Sequence, residues 1–183
     1  MKKIITLFLF VYSFRLQAQE ALSYSQILEN NTEISFQDSL LITNLGSDRK
    51  TIDTFTVKKW FLPALSGSQD VKLKNRNFFL AGKITTNDHF DLHVLVEDKK
   101  KEDSTVLQIV HLVTTRKDGS YISAFKAAVT GTKKKSNYYT SSWLYKGFSI
   151  VQDSKIVTST ASLADVTQYK INKSGRFIMY SNY

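Results

Sequence analysis

Short segments rich in β-branched and aromatic residues alternate with turn signals from about residue 78 to the end of the chain. Some of these turns contain pairs such as Asp118-Gly119, which are among the strongest local signals for a β-hairpin. Regularly spaced segments of this kind, in a chain with a single proline, are typical of an antiparallel meander. We therefore predict an all-β protein whose up-and-down meander of about 8–10 strands forms a barrel or a two-layer sandwich.

The spacing of the turn signals gives approximate strand positions. The expected strands lie around residues 78–85, 90–97, 105–115, 120–130, 138–145, 147–152, 155–160, 166–171 and 176–180. Two weaker strand patterns cover 39–43 and 54–60, and a loop is expected over 63–69. At most one short N-terminal helix is expected, over 23–29, with Ser23 or Ser25 as its cap.

Two of the expected strands differ from the others in being apolar at nearly every position. Residues 92–96 and 106–113 are interrupted only by His93, Gln108 and His111. A strand that is exposed on one face alternates between apolar and polar residues, whereas a strand covered on both faces is apolar throughout. These two strands are therefore expected at the centre of the protein, covered on both sides.

The first residues have the layout of a secretory signal peptide. Lys2 and Lys3 precede an apolar run over 4–14, and the small residue Ala18 precedes a polar stretch. The run is too short to cross a bilayer core, which takes about 20 apolar residues. We predict cleavage near Ala18, no transmembrane helix, and export to the periplasm or the cell exterior, with 19–183 as a single β domain.

Charge and cysteine content narrow the class of partner. The chain has a formal net charge of +9 and contains no cysteine, so an exported domain must be stable without disulfides. A basic protein attracts anionic partners through its long-range field. Outside the cytoplasm, an anionic glycan, a lipid surface or an acidic protein is a more plausible partner than nucleic acid.

Hairpin geometry brings two lysine-rich loops together. Alternate turns of an up-and-down meander lie at the same end of the sheet, so the loops that contain 99–101 and 133–135 are expected to share one end. Several aromatic residues follow the second loop, and aromatic rings can stack on sugars while ammonium groups attract anions. The candidate ligand-binding residues are Lys99, Lys100, Lys101, Lys133, Lys134, Lys135, Tyr139, Trp143 and Tyr145.

Two of the histidines, His93 and His111, are candidate metal ligands. If Glu97 pairs with Thr105, Asp91 lies opposite His111, and a slip of one pair places His93 opposite His111 instead. A zinc site needs three or four convergent ligands, and no third ligand is evident on that face. We therefore expect neither a metal nor another cofactor.

No motif in the sequence selects a reaction. The chain has no G-x-S-x-G, no H-E-x-x-H, no phosphate-binding loop and no cysteine nucleophile, and no catalytic residue can be named. The sequence favours an exported, non-catalytic binding or envelope-associated protein over an enzyme. Two alternatives remain open: a β-barrel carrier of a small lipophilic ligand, and a hydrolase-type enzyme whose residues are unidentified.

Overall fold

A computed structural model describes residues 20–43, 49–65, 73–84, 88–100 and 106–180. The predicted signal peptide over 1–18 lies outside these ranges. Within them, the strands are β1 Glu33–Ile34, β2 Ser39–Ile42, β3 Lys50–Ile52, β4 Arg76–Ile84, β5 Asp91–Lys100, β6 Val106–Thr115, β7 Tyr121–Lys133, β8 Ser136–Tyr145, β9 Ser149–Val157, β10 Ser162–Ile171 and β11 Phe177–Tyr180.

The strands form one large, mostly antiparallel sheet that is not closed. Strands β4 to β11 follow one another across the sheet in chain order, each antiparallel to the next. Strand β3 pairs antiparallel with β4, and β1 pairs with β4 in parallel. The predicted all-β antiparallel meander is confirmed, with 11 strands in the described part of the chain. The predicted pieces at 147–152 and 155–160 belong mostly to one continuous strand, β9.

Strand β8 changes its partner halfway along its length. Its first half pairs with the end of β7, from Val129 opposite Thr140 to Lys133 opposite Ser136. Its second half pairs with β2 instead, and Leu41 lies opposite Trp143. Strand β9 follows β8 along both halves. The sheet therefore separates beyond Thr140 into two parts.

The larger hydrophobic core joins these two parts of the sheet. It contains residues from strands β4 to β7 together with residues from β2 and β8 to β10, which places it between the diverging strands. Its buried members are Ile42, Ile84, Phe90, Leu92, Val94, Val96, Val110, Leu112, Ala127, Ala128, Leu144, Ile150 and Ile171.

A second core lies on the opposite face of the central strands, where helical segments cover the sheet. Its buried members are Tyr24, Ile27, Ile52, Val57, Phe61, Phe78, Leu80, Leu95 and Val113. Strand β5 contributes Leu92, Val94 and Val96 to the first core and Leu95 to the second. The prediction that this strand is covered on both faces is confirmed.

The first helix, α1, spans Tyr24–Asn30, close to the predicted position. Ser23 is its N-cap: the Ser23 hydroxyl accepts a hydrogen bond from the backbone N–H of Gln26. The Gln26 side chain accepts one from the Ser23 N–H, which completes a capping box. Tyr24 and Ile27, one helical turn apart, face the second core.

The second helical segment was predicted as a strand over 54–60, and that prediction is wrong. The segment consists of α2 Thr54–Thr56, a π-helical stretch Val57–Phe61 and α3 Leu62–Leu65. Asp53 accepts hydrogen bonds of 2.8 Å from the backbone N–H groups of Phe55 and Thr56, which begins the helix. Val57 and Phe61 are fully buried at helical spacing. Their β-branched and aromatic neighbours had suggested a strand.

Candidate binding site

The two lysine-rich hairpins lie at the same end of the sheet. Lys100 at the end of β5 pairs with Val106, which in turn pairs with Thr132 on β7. Lys133 is the next residue and pairs with Ser136 across the following turn. Neighbouring strands are about 4.8 Å apart, so β5 and β7 are separated by about 10 Å at this end. Of the predicted lysines, Lys101 lies outside the described residues.

The turn between β7 and β8 consists of Lys134 and Lys135, flanked by Lys133. All three are exposed, and within the described part of the chain no carboxylate forms an ion pair with them. Lys134 has a φ of 55°, in the left-handed region that favours glycine. A lysine at this position places a cation at the tip of the hairpin at the cost of local backbone strain.

Strand β8 presents the predicted aromatic residues on a single face. Side chains alternate between the faces of a strand, so residues at odd positions of β8 share one side. On that side Tyr139, Trp143 and Tyr145 are 53%, 42% and 38% exposed. On the other side Ser142 and Leu144 are fully buried. We call Tyr139, Trp143 and Tyr145 the aromatic column; it begins a few residues after the lysine turn.

Strand pairing places one lysine and two apolar side chains beside the aromatic column. Tyr139 is directly opposite Lys155 on β9, and Trp143 lies between Leu41 on β2 and Val151 on β9. Directly paired residues of antiparallel strands point to the same side of the sheet. Lys155 therefore shares the exposed face with the aromatic column.

A groove of about 780 Å³ lies at the lysine end of the sheet and was not predicted. Most of the surface that lines it is apolar, although many of the lining residues are polar and two of them are predicted lysines. The lining residues are Asn75, Asn77, Asp98, Lys99, Lys100, Val106, Leu107, Gln108, Thr130 and Gly131. The only sequence signal for it is that polar residues replace apolar ones at the start of β4 and at the end of β5.

Asp98 is the one carboxylate in the lining, and its charge is compensated. Arg49 Nη1 lies 3.3 Å from Asp98 Oδ1, and the amide of Gln108 donates a hydrogen bond of 3.0 Å to the same atom. Lys99 and Lys100 add positive charge. The groove therefore has a net positive character that suits an anionic or polyhydroxylated ligand.

The expected pairing of β5 with β6 was wrong by several residues. Glu97 pairs with Ile109, His111 with Leu95 and Asp91 with Thr115, so neither expected histidine arrangement occurs. Strand β5 extends further toward the lysine end than predicted, because Asp98, Lys99 and Lys100 continue it. Within the described ranges, no group of three or more His, Asp or Glu side chains is arranged to hold a metal ion.

His93 instead belongs to a buried hydrogen-bond network beneath α1. Its Nε2 atom lies 3.0 Å from the Tyr24 hydroxyl, and its Nδ1 atom accepts a hydrogen bond of 3.1 Å from Asn31 Nδ2. Burial lowers the pKa of His93 from 6.5 to about 4. The ring is therefore neutral at pH 7, with its proton on Nε2 because Nδ1 is an acceptor.

The same network includes a carboxylate near the protein surface. Asp91 accepts a hydrogen bond from Tyr24 and forms an ion pair of 2.7 Å with Lys117. Burial alone would raise the pKa of Asp91, but the hydrogen bonds from Lys117 and Tyr24 outweigh burial and lower it. Burial also raises the pKa of Tyr24. These side chains are committed to one another and fix α1 to β5.

Glu97 and His111 form a second buried polar cluster. Arg76 Nη1 lies 2.8 Å from Glu97 Oε1, and His111 Nε2 lies 3.2 Å from Glu97 Oε2. Burial would raise the pKa of Glu97, but His111 and Arg76 together lower it. Glu97 and His111 are almost completely buried, so the cluster has no direct access to a substrate in solution.

The rest of the chain adds little that identifies a function. No helix in the described ranges is long and apolar enough to cross a membrane. Comparison with known proteins found no matching family model, no matching curated protein and no matching solved structure.

Proposed function

We propose that this protein is an exported, non-catalytic binding protein of the cell envelope that recognises an anionic glycan. The observation that carries the proposal is the exposed face of β8. There three aromatic side chains, Tyr139, Trp143 and Tyr145, follow directly after a turn of exposed lysines. Exposed aromatic groups that cluster on one rigid face, beside uncompensated cations, are typical of interaction surfaces.

The spacing of the aromatic column suits an extended ligand. At about 3.3 Å per residue, Tyr139 and Trp143 are about 13 Å apart, and Trp143 and Tyr145 are about 7 Å apart. Rings held on a strand are rigid platforms on which the apolar faces of sugar rings can stack. Lys155 and the lysine turn lie beside these platforms and attract the acidic groups of the glycan.

A lipid surface or an acidic protein could also use the positive charge. Neither explains the aromatic column as well, because its rings lie along one strand of a sheet instead of at the tip of a projecting loop. The glycan is therefore the partner favoured among the three. The other two are separate outcomes of the binding test.

The groove bears on the alternative of a lipophilic carrier. It is open to solvent, and its lining contains two lysines, two asparagines, an aspartate and a glutamine. A site for a small lipophilic ligand is expected to be enclosed and mainly apolar. The groove meets only one of these two conditions, because its lining surface is mainly apolar but it is open to solvent.

The buried titratable groups give little support to an enzyme. The side chains of His93, His111 and Glu97 are buried and hydrogen-bonded within the protein. A general acid or base must reach the proton that it transfers in a bound substrate. The shifted pKa values of His93 and Glu97 are better explained by structural contacts, which join His93 to α1 and Glu97 to the neighbouring strands.

The proposal is tested by retention of the protein on immobilised heparin, which is a linear acidic glycan, across a salt series. Anionic liposomes and an immobilised acidic protein are run in parallel. We expect retention on heparin that weakens as salt rises, because salt screens the exposed lysines. The proposal is rejected if heparin fails to retain the protein at low salt, or if only liposomes or the acidic protein retain it.

Two sets of variants separate the roles of charge and stacking. Replacing Lys133, Lys134 and Lys135 with glutamine should lower the salt concentration at which the protein elutes. A matched variant with glutamine at three exposed lysines elsewhere, Lys58, Lys59 and Lys173, should elute close to the wild type. Tyr139→Ala combined with Trp143→Ala should also weaken retention. Phe55→Ala, at an exposed aromatic residue of α2, should not.

A further inference from the structure

A continuous row of paired residues joins the groove to Tyr139, the first residue of the aromatic column. A row of directly paired residues crosses six strands, from β4 in the groove to β9 beside the column. Since paired residues of antiparallel strands share a side, each side chain in the row lies on the same side of the sheet as its paired neighbours. The row consists of Asn77, Asp98, Gln108, Thr130, Tyr139 and Lys155.

Hydrogen bonds between side chains support this common orientation. Gln108 on β6 donates to Asp98 on β5 within the row. In the neighbouring row, the hydroxyl of Thr132 on β7 donates a hydrogen bond of 2.9 Å to Asn137 on β8. Five spacings of about 4.8 Å make the row about 24 Å long. It is therefore much longer than a single sugar.

From this continuity we infer that the ligand is a linear acidic glycan bound through an internal stretch, which occupies the groove and the Tyr139 end of the aromatic column together. The inference rests on the proposed function and defines its ligand more closely. Asn77, Gln108 and Thr130 provide amides and a hydroxyl that can donate to and accept from sugar hydroxyls. Tyr139 provides a stacking platform next to them.

Charge is distributed along the whole row. Lys100 lies at the groove, and Lys155 lies at the far end of the row. Between them, the lysine turn connects β7 and β8 a few residues away from Thr130 and Tyr139, toward the lysine end of the sheet. Each ammonium group acts as a compact point charge on a flexible stem. Such an arrangement matches acidic groups repeated along a polymer better than one acidic group at a chain end.

Both ends of the row are open. Asn77 at the groove end of the row is exposed, and Tyr139 and Lys155 at the other end are also exposed. A glycan chain can therefore enter and leave without a terminus inside the site. A ligand that is bound in the groove is held close to the subsite around Tyr139, so its second contact forms more easily than that of a separate molecule. This gain in affinity appears only when the ligand is long enough to reach both subsites.

The test uses fluorescently labelled heparin oligosaccharides from disaccharide to dodecasaccharide, titrated against the mature protein. We expect affinity to rise steeply with length and then level off once the chain spans the row. The double variant Asn77→Ala with Lys100→Gln should weaken binding of the longest oligosaccharide by roughly tenfold or more. Both residues are exposed, and an unchanged thermal transition would show that the variant is folded.

The outcomes separate this inference from the proposed function. If the groove variant binds the longest oligosaccharide as the wild type does, while Tyr139→Ala with Trp143→Ala weakens it, the extended site is wrong and glycan binding stands. Equal affinity at all lengths, or loss of binding when the reducing end is blocked, also overturns the inference. If no oligosaccharide or polymer binds at all, the proposed function itself is rejected.

Discussion

The hydroxyl of Tyr24 donates a hydrogen bond of 2.8 Å to Asp91 and lies 3.0 Å from His93 Nε2, which joins α1 to the start of β5. This contact places a titratable histidine beneath a helix, where water cannot solvate its charge. The stability of the protein should therefore depend on pH between neutral and mildly acidic conditions.

His93 should destabilise the protein as the pH falls. Its pKa is about 4 in the folded protein against 6.5 for an exposed histidine, so between these values the unfolded chain binds a proton that the folded chain does not. The free energy of unfolding should fall from pH 6.5 to pH 4 by about 3 kcal/mol through this residue. Urea unfolding at several pH values measures the slope.

The matched variant is His93→Gln, which retains a polar side chain but does not titrate. It should be less stable at pH 7, because the network with Tyr24 and Asn31 is disturbed, yet it should lose less stability on acidification. If the free energy of unfolding changes with pH equally in the variant and the wild type, the pH dependence comes from other groups. Asp91 and Glu97 are the alternatives, because their lowered pKa values also make the folded protein less stable in acid.

Arg76 should be essential to the stability of the buried carboxylate of Glu97. Arg76→Met removes the guanidinium that lies 2.8 Å from the buried carboxylate of Glu97 and should cost about 3–5 kcal/mol in the free energy of unfolding. Adding Glu97→Gln should recover part of this loss, because the uncompensated charge is removed. Chemical denaturation measures the free energy of unfolding of the single and the double variant. If the double variant is no more stable than Arg76→Met alone, the loss of stability does not come from the uncompensated charge of Glu97.

Lys134→Gly should stabilise the protein while weakening glycan binding. Glycine accepts the φ of 55° without strain, which should increase the free energy of unfolding by about 0.5–1 kcal/mol. Lys134→Ala is the control, since it removes the same charge but retains the strain. Thermal unfolding should distinguish the two variants, and equal stability would show that the turn is not strained by its lysine.

A side chain at Gly119 should clash with neighbouring rings in addition to straining the backbone. Gly147, which has the same φ but no close neighbours, allows the two costs to be measured separately. A Cβ atom at Gly119 would lie 2.6 Å from Cγ of Tyr24 and 2.7 Å from the ring of Trp60, whereas Gly147 has the same φ of 89° and open space around it. Gly147→Ala should therefore cost only the backbone strain, about 1–2 kcal/mol. Gly119→Ala should cost about 1–3 kcal/mol more, as measured by urea unfolding. Equal losses would show that α1 yields to the methyl group.

Much of the sheet could be predicted because its signals are local. Apolar residues at consecutive positions of β5 indicated a strand covered on both faces, and Asp118-Gly119 marked a hairpin turn. The meander then placed the two lysine-rich hairpins at one end of the sheet without further information. The alternation of exposed and buried residues along β8 follows from the same local rule.

What could not be predicted depends on contacts between distant parts of the chain. The helical segment that begins after Asp53 resembles a strand in composition, and its cap was the only local sign against that assignment. The groove depends on the register of four strands, and the expected register of β5 with β6 was wrong. The exchange of partners along β8 depends on β2, which no local pattern connects with Trp143.

That exchange of partners has a consequence for how the protein folds. Leu41 and Trp143 are distant in the chain, so their pairing closes a long loop and is expected late, after the local hairpins have formed. Until β2 pairs with it, the second half of β8 lacks a partner on one side, which is a hazard for aggregation in a newly made chain. The pairing of β2 should therefore be the late step that covers this edge of β8 and lowers the tendency of the chain to aggregate.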